Sequence, residues 1–252
     1  MIYDYHIHTQ YSYDSLIKAD ELIEKAIKLG YEAIAITEHL DLLPQEVSIF
    51  GVISLKQYVE YCQYLREKYP QITLHTGIEI GDYQLMPTYI SAIISHYDFF
   101  PILGSVHFLS DHTNVAISMP HALNKDQITD YYLSNLKLVQ ECDIDVLAHL
   151  GVYKRYYNIP PEEDHVKNLI KEIFTVIIER GIALEINLSG LHKPYHEIIP
   201  EPKYIELYKD LGGKLFSLGS DSHLLENFGT AHLIAKEYGI PIDPPQKSQF
   251  TR

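Results

Sequence analysis

Short runs of β-branched and apolar residues alternate with longer amphipathic stretches about seven times along this chain, and that alternation leaves few architectures open. The runs Ile2–Ile7, Ala33–Thr37, Ile72–Ile80, Phe99–Val106, Ile144–Ala148, Ala183–Ile186 and Lys214–Leu218 read as buried strands. Strands separated by helical patterns imply parallel βαβ units. Between them, Ala19 to Leu29 spaces Leu22, Ile23, Ala26 and Ile27 along one helical face and stops at Gly30, the residue best able to take a left-handed C-terminal position. Leu55 to Lys68, Gln127 to Gln140 and Val166 to Arg180 behave in the same way. No linker, charge block or internal repeat interrupts the 252 residues, so a single α/β domain over 1–252 is expected. Seven βα units predict a TIM-like barrel one unit short of eight, with an open doubly wound sheet as the alternative.

Charge narrows the partners. Lys and Arg total 20 against 34 Asp and Glu, a formal net charge of −14, which removes the basic footprint of a nucleic-acid binder. A small anion captured locally by metal ions or a few cations remains open. The longest uncharged runs, such as Met86 to Tyr97, fall short of the ~18 apolar residues of a membrane span, so no membrane partner is expected. Met1 to His6 lacks a basic segment followed by an apolar one, and the chain is expected to be cytoplasmic. Cys62 and Cys142 lie far apart in helical segments and read as buried small hydrophobes, not as a disulfide or a zinc motif.

In parallel α/β folds the βα loops converge at the carboxyl ends of the strands. Nearly every expected strand ends here in a residue able to ligate a metal. His6-Ile7-His8 closes the first, Glu38-His39 the second, Glu79 sits in the third, His107 and His149 follow the fourth and fifth, and Asp221-Ser222-His223 follows the seventh. Six of the 14 histidines are thereby placed. Residues i and i+2 of a strand share a face, so His6 and His8 aim at one spot while Ile7 faces away. Glu79 lies in an apolar run, where an ionised carboxylate is costly unless paired or coordinated. Asp221 reads either as a ligand or as a helix N-cap, and Asp14 on spacing alone as a turn or capping residue. His75, His96, His112, His121, His165, His196 and His232 read as ordinary histidines.

A donor set of His, Asp and Glu without thiolate suits Zn²⁺, Fe or Mn²⁺. Six imidazoles and two or three carboxylates exceed the roughly four to six positions of one ion, so more than one is implied. Paired metals about 3.5–4 Å apart are the recurrent device for hydrolysing phosphate esters. Motifs for nucleotide-driven and serine-nucleophile chemistry, and H-E-x-x-H, are absent.

His6-Ile7-His8-Thr9, Thr37-Glu38-His39, Gly77-Ile78-Glu79, Ser105-Val106-His107, Ala148-His149 and Gly219-Ser220-Asp221-Ser222-His223, in that order, resemble the motifs of the PHP (polymerase and histidinol phosphatase) superfamily. Gly77-Ile78-Glu79-Ile80-Gly81, Lys154-Arg155-Tyr156 and Glu185-Ile186-Asn187-Leu188-Ser189-Gly190-Leu191 look like its histidinol-phosphate phosphatase branch. The resemblance implies a distorted (βα)7 barrel with three divalent ions per chain, Zn, Fe or Mn. It implies His6, His8, Glu79 and Asp221 around the first ion, Glu79, His107 and His149 around the second, and Asp14, His39 and His223 around the third. Asp14 becomes a ligand by this likeness alone. Glu38 has no metal role and is expected to support an imidazole.

The activity implied is that of a phosphomonoesterase releasing L-histidinol and phosphate in histidine biosynthesis. A hydroxide bridging two metals would attack phosphorus, with Glu79, His107, Asp221 and His223 carrying the reaction. The branch often has Arg after Ser-Gly-Leu, whereas Leu191 is followed here by His192 and Lys193. Phosphate binding is therefore expected from His192 or Lys193 together with Lys154 and Arg155. Two other readings stand beside this one: another PHP phosphoesterase, such as a phosphotyrosine phosphatase, and a metal-binding PHP domain without catalysis. The substrate partner is a small phosphate monoester, and the oligomeric state is open.

Overall fold

The computed structural model describes residues 2–239, so that 240–252 of the expected domain and the side chain of His232 lie outside the described residues. Seven strands run in one parallel sheet in sequence order: β1 (Tyr3–Asp4), β2 (Ala33–Asp41), β3 (Thr73–Gly81), β4 (Ile102–Ser105), β5 (Val146–Leu147), β6 (Ala183–Asn187) and β7 (Phe216–Gly219). The last strand returns to the first. The Tyr5 amide donates to Leu218 O at 2.8 Å, Asp221 N–H to His6 O at 2.8 Å and His8 N–H to Ser222 O at 3.1 Å. These bonds, with a parallel bridge between Ile7 and Ser222, close the sheet into a barrel. The open doubly wound alternative is thereby excluded.

The helices are α1 (Ala19–Lys28), α2 (Pro44–Phe50), α3 (Leu55–Lys68), α4 (Pro87–Ile94), α5 (Lys125–Glu141), α6 (Lys167–Arg180), α7 (Pro202–Asp210) and α8 (Ala231–Glu237). The apolar face read on α1 is the buried one, Leu22, Ile23 and Ala26 among it. Burying each such large aliphatic side chain is worth about 1.5–3 kcal/mol. Helix α5 begins two residues earlier than its periodicity suggests, because Asn124 and Gln127 form a capping box. Asn124 Oδ1 accepts the Gln127 amide at 3.0 Å and Gln127 Oε1 accepts the Asn124 amide at 3.1 Å. Helices α2, α4 and α7 escape a periodicity argument because they are short; each is started by a proline in its first turn, where no amide partner is lost.

Cys62 and Cys142 are both free and buried. Among the described residues no helix is long and apolar enough to cross a membrane.

Candidate metal centre

Strand register and barrel closure together build the site. His39 and Glu79 are register partners on β2 and β3, which puts His39 Nδ1 3.0 Å from Glu79 Oε2. Closure of β7 onto β1 sets Asp221 and His223 beside His6 and His8. Glu79 lies at the centre, buried, with its two oxygens facing different groups. Oε2 is 3.3 Å from His6 Nε2 and 3.4 Å from His8 Nε2. Oε1 is 2.8 Å from His149 Nε2 and 3.4 Å from His107 Nε2.

These separations have a physical meaning. Ligands about 2.0–2.1 Å from a tetrahedral ion are roughly 3.4 Å apart. His6 Nε2 and His8 Nε2 are 3.1 Å apart and lie 3.7 and 3.5 Å from Asp221 Oδ1, so with Glu79 Oε2 they approximate one such polyhedron. At the rim, Asp14 Oδ1 is 3.5 Å from His39 Nε2, Asp14 Oδ2 is 3.2 Å from His223 Nε2, and the two imidazole nitrogens are 3.4 Å apart. Glu79 Oε2 and His39 Nδ1 are buried without a hydrogen-bond partner, as expected of atoms meant for a cation. The donor set and its spacing fit divalent ions. Burial, with His39 and His223 nearby, pushes the His8 pKa down to about 3, leaving a neutral imidazole with a free lone pair. Burial opposes charge on Glu79, yet His6 and His39 hold its carboxyl well below the usual carboxylate range.

Around this cluster, other side chains fix its orientation. Glu185 on β6 accepts from His6 Nδ1 at 2.6 Å and from the His149 amide at 2.6 Å. That bond sets the His6 tautomer and turns Nε2 towards Glu79. The contact requires Gly219, since a Cβ there would lie 2.3 Å from Glu185 Oε1. Glu38 does support an imidazole, through an intermediary: its carboxylate takes the Ser12 and Thr9 hydroxyls, and Ser12 Oγ is 3.3 Å from His8 Nδ1. His149 and Asp221 hold left-handed backbones, φ 25° and 52°, a strain that concentrates at functional sites.

The cluster forms the floor of a cavity of about 850 Å³. Tyr13 stacks on Phe50 at 3.9 Å between ring centres, and with Ile49 and Ile117 these rings make an apolar mouth. Of the expected phosphate-binding cations, Arg155 lines the cavity. It donates to Asp221 Oδ2 at 3.0 Å, Ser189 Oγ at 3.1 Å and Ala116 O at 2.7 Å, while its buried Nε has no partner. Lys154 corrects the sequence expectation. The short 3₁₀ turn Val152–Tyr156 sends it into the protein, where its ammonium is buried between Glu163 and Glu201. His192 and Lys193 are exposed and line a smaller adjoining hollow shared with Arg155 and Asp221. His112, read as ordinary, lies on the cavity wall, as do the unforeseen Glu46 and Asn114.

A parallel barrel that gathers six imidazoles and three carboxylates at the carboxyl end of its strands defines a class of metal-centre barrels. The chain belongs to the PHP domain family, whose sequence model matches residues 4–189. It is 29% identical to a probable histidinol-phosphatase of Clostridium acetobutylicum over 91% of this chain and 89% of the relative. It is 28% identical to the histidinol-phosphatase of Bacillus subtilis over 91% and 96%. Its fold superposes with a TM-score of 0.78 on the Lactococcus lactis histidinol phosphate phosphatase complexed with zinc, L-histidinol and phosphate, at 25% identity over 95% and 94% of the two chains.

Proposed function

We propose that this chain is a histidinol-phosphatase, hydrolysing L-histidinol phosphate to L-histidinol and phosphate with divalent ions as cofactor. The observation that carries the reading is Glu79, whose two oxygens face His6 and His8 on one side and His107 and His149 on the other. His6, His8, Glu79 and Asp221 would hold one ion, Glu79, His107 and His149 a second, and Asp14, His39 and His223 a third; zinc, manganese and iron all suit these donors. Bound there, divalent ions polarise the phosphoryl oxygens and neutralise charge that builds in the transition state.

The protein's own groups do the rest. Arg155 lines the cavity and is braced by three acceptors, so its guanidinium is held ready for a phosphoryl oxygen without reorganising. Burial of the cluster lowers the local dielectric and strengthens each of these interactions. Glu185 holds His6 in one tautomer. Glu185→Gln is expected to weaken zinc binding and turnover by about 10–100-fold with little change in melting temperature, as read by metal titration and phosphate release.

The experiment that tests the function compares phosphate release from L-histidinol phosphate, a phosphotyrosine peptide and phenyl phosphate by the metal-replete protein. A clear preference for L-histidinol phosphate is expected. Preference for the phosphotyrosine peptide would move the protein to another phosphoesterase activity, and no release from any ester would leave a metal-binding domain without catalysis.

A further inference from the structure

Where β2 meets the cavity, two carboxylates have oxygens that nothing satisfies. Asp41 ends β2 and Glu46 lies on α2, at 6% and 4% exposure. Asp41 Oδ2 accepts the Tyr13 hydroxyl at 3.1 Å, but Oδ1 has no hydrogen-bond partner, with His107 Nδ1 3.8 Å away. Glu46 Oε2 is also buried without a partner, and Glu46 lines the cavity wall. One ligand atom from each of Asp41, Glu46 and His107 lies within 4.8 Å of the others. Unpaired buried carboxylate oxygens are costly, and two such carboxylates side by side call for positive charge.

The His39 and His107 imidazoles flank Asp41 at 3.6 and 3.8 Å, but both belong to the candidate metal centre, and no Lys lines the cavity. Among the residues lining the cavity the one permanent cation is Arg155, and it is committed to Asp221, Ser189 and Ala116 O. Asp41 Oδ1 packs against Gly81, where a Cβ would lie 2.2 Å from it, so only glycine lets the carboxylate sit there. Glu46 therefore shares one cavity with the anion-binding Arg155, and Asp41 stands beside it on a smaller hollow that Glu46 also lines. A ligand with phosphate at one end and a cation at the other matches both.

We propose that Asp41 and Glu46 form a cation subsite that takes the ammonium group of the substrate and so selects aminoalkyl phosphates over uncharged esters. The subsite rests on the phosphatase reading and deepens it, because it names which groups recognise the amine. A divalent ion held by Asp41, Glu46 and His107 is the other source of the same charge, and the test separates the two.

Isothermal titration of the metal-replete parent and of Glu46→Gln with L-histidinol, and with the same alcohol lacking the amine, reads the subsite without turnover. The parent is expected to bind L-histidinol about tenfold more tightly than the deaminated alcohol, and Glu46→Gln to bind the two within about threefold. The kcat/KM ratio for the two corresponding phosphate esters should contract in parallel.

A parent that hydrolyses L-histidinol phosphate yet does not distinguish amine from no amine overturns the subsite and leaves the phosphatase reading standing. That arm does not depend on how the variant folds. A parent that hydrolyses neither ester overturns both. A folded Glu46→Gln that keeps the parent's preference also overturns the subsite. So does loss of one equivalent of metal from Glu46→Gln by elemental analysis, which would identify the cation as a bound ion.

Discussion

Glu79→Gln is expected to lower phosphate release from L-histidinol phosphate by about a thousandfold and to leave the protein short of metal by elemental analysis. The size of the effect follows from position. The two oxygens of Glu79 face imidazole nitrogens of five residues at 2.8–3.4 Å, so an amide in its place presents an N–H where a negative oxygen stood. A neutral amide would not balance the charge of divalent ions held there. The side chain is buried and isosteric with glutamine, so the fold should survive, as circular dichroism would check. Turnover within about tenfold of the parent, with full metal content, would falsify the central role proposed for Glu79.

The second large effect is on stability. Lys154 is 2% exposed; its ammonium meets Glu163 and Glu201 and lies 4.9 Å from the centre of the Tyr204 ring. Glu163 also takes the hydroxyls of Tyr132, Tyr153 and Tyr204. Burial raises the Glu163 pKa, yet the Lys154 ammonium, with these hydroxyls, keeps it below its usual value. Lys154→Met removes the cation and leaves a buried carboxylate, at a cost of about 3–5 kcal/mol. For a chain of this size that is a fall in Tm of about 10 °C, measurable by calorimetry. The double variant Lys154→Met/Glu163→Gln should recover part of the loss, because it removes the uncompensated charge as well. A single variant that melts within about 2 °C of the parent would show that the pair contributes little.

These two residues also mark how far the chain could be read before its structure. Glu79 was legible because an acidic residue within a long apolar strand is chemically conspicuous, and Glu185 on β6 carries the same signal. Lys154 and Arg155 are adjacent cations after one strand, and nothing in their spacing separates them. The 3₁₀ turn over Val152–Tyr156 does, sending one ammonium into the core and one guanidinium to the cavity. Asp41 and Glu46 carry no signal in the sequence pattern; only the tertiary structure buries them.

Local pattern was enough for seven parallel strands, for the single face shared by His6 and His8, and for a donor set suited to divalent ions, because period-2 geometry and side-chain chemistry act over a few residues. It was not enough to bring Asp14 to His39 and His223, to brace His6 with Glu185, or to bury one oxygen each of Asp41 and Glu46 without a hydrogen-bond partner. Those contacts join segments tens to about two hundred positions apart, and they exist only once β7 hydrogen-bonds to β1 and the ring of strands closes.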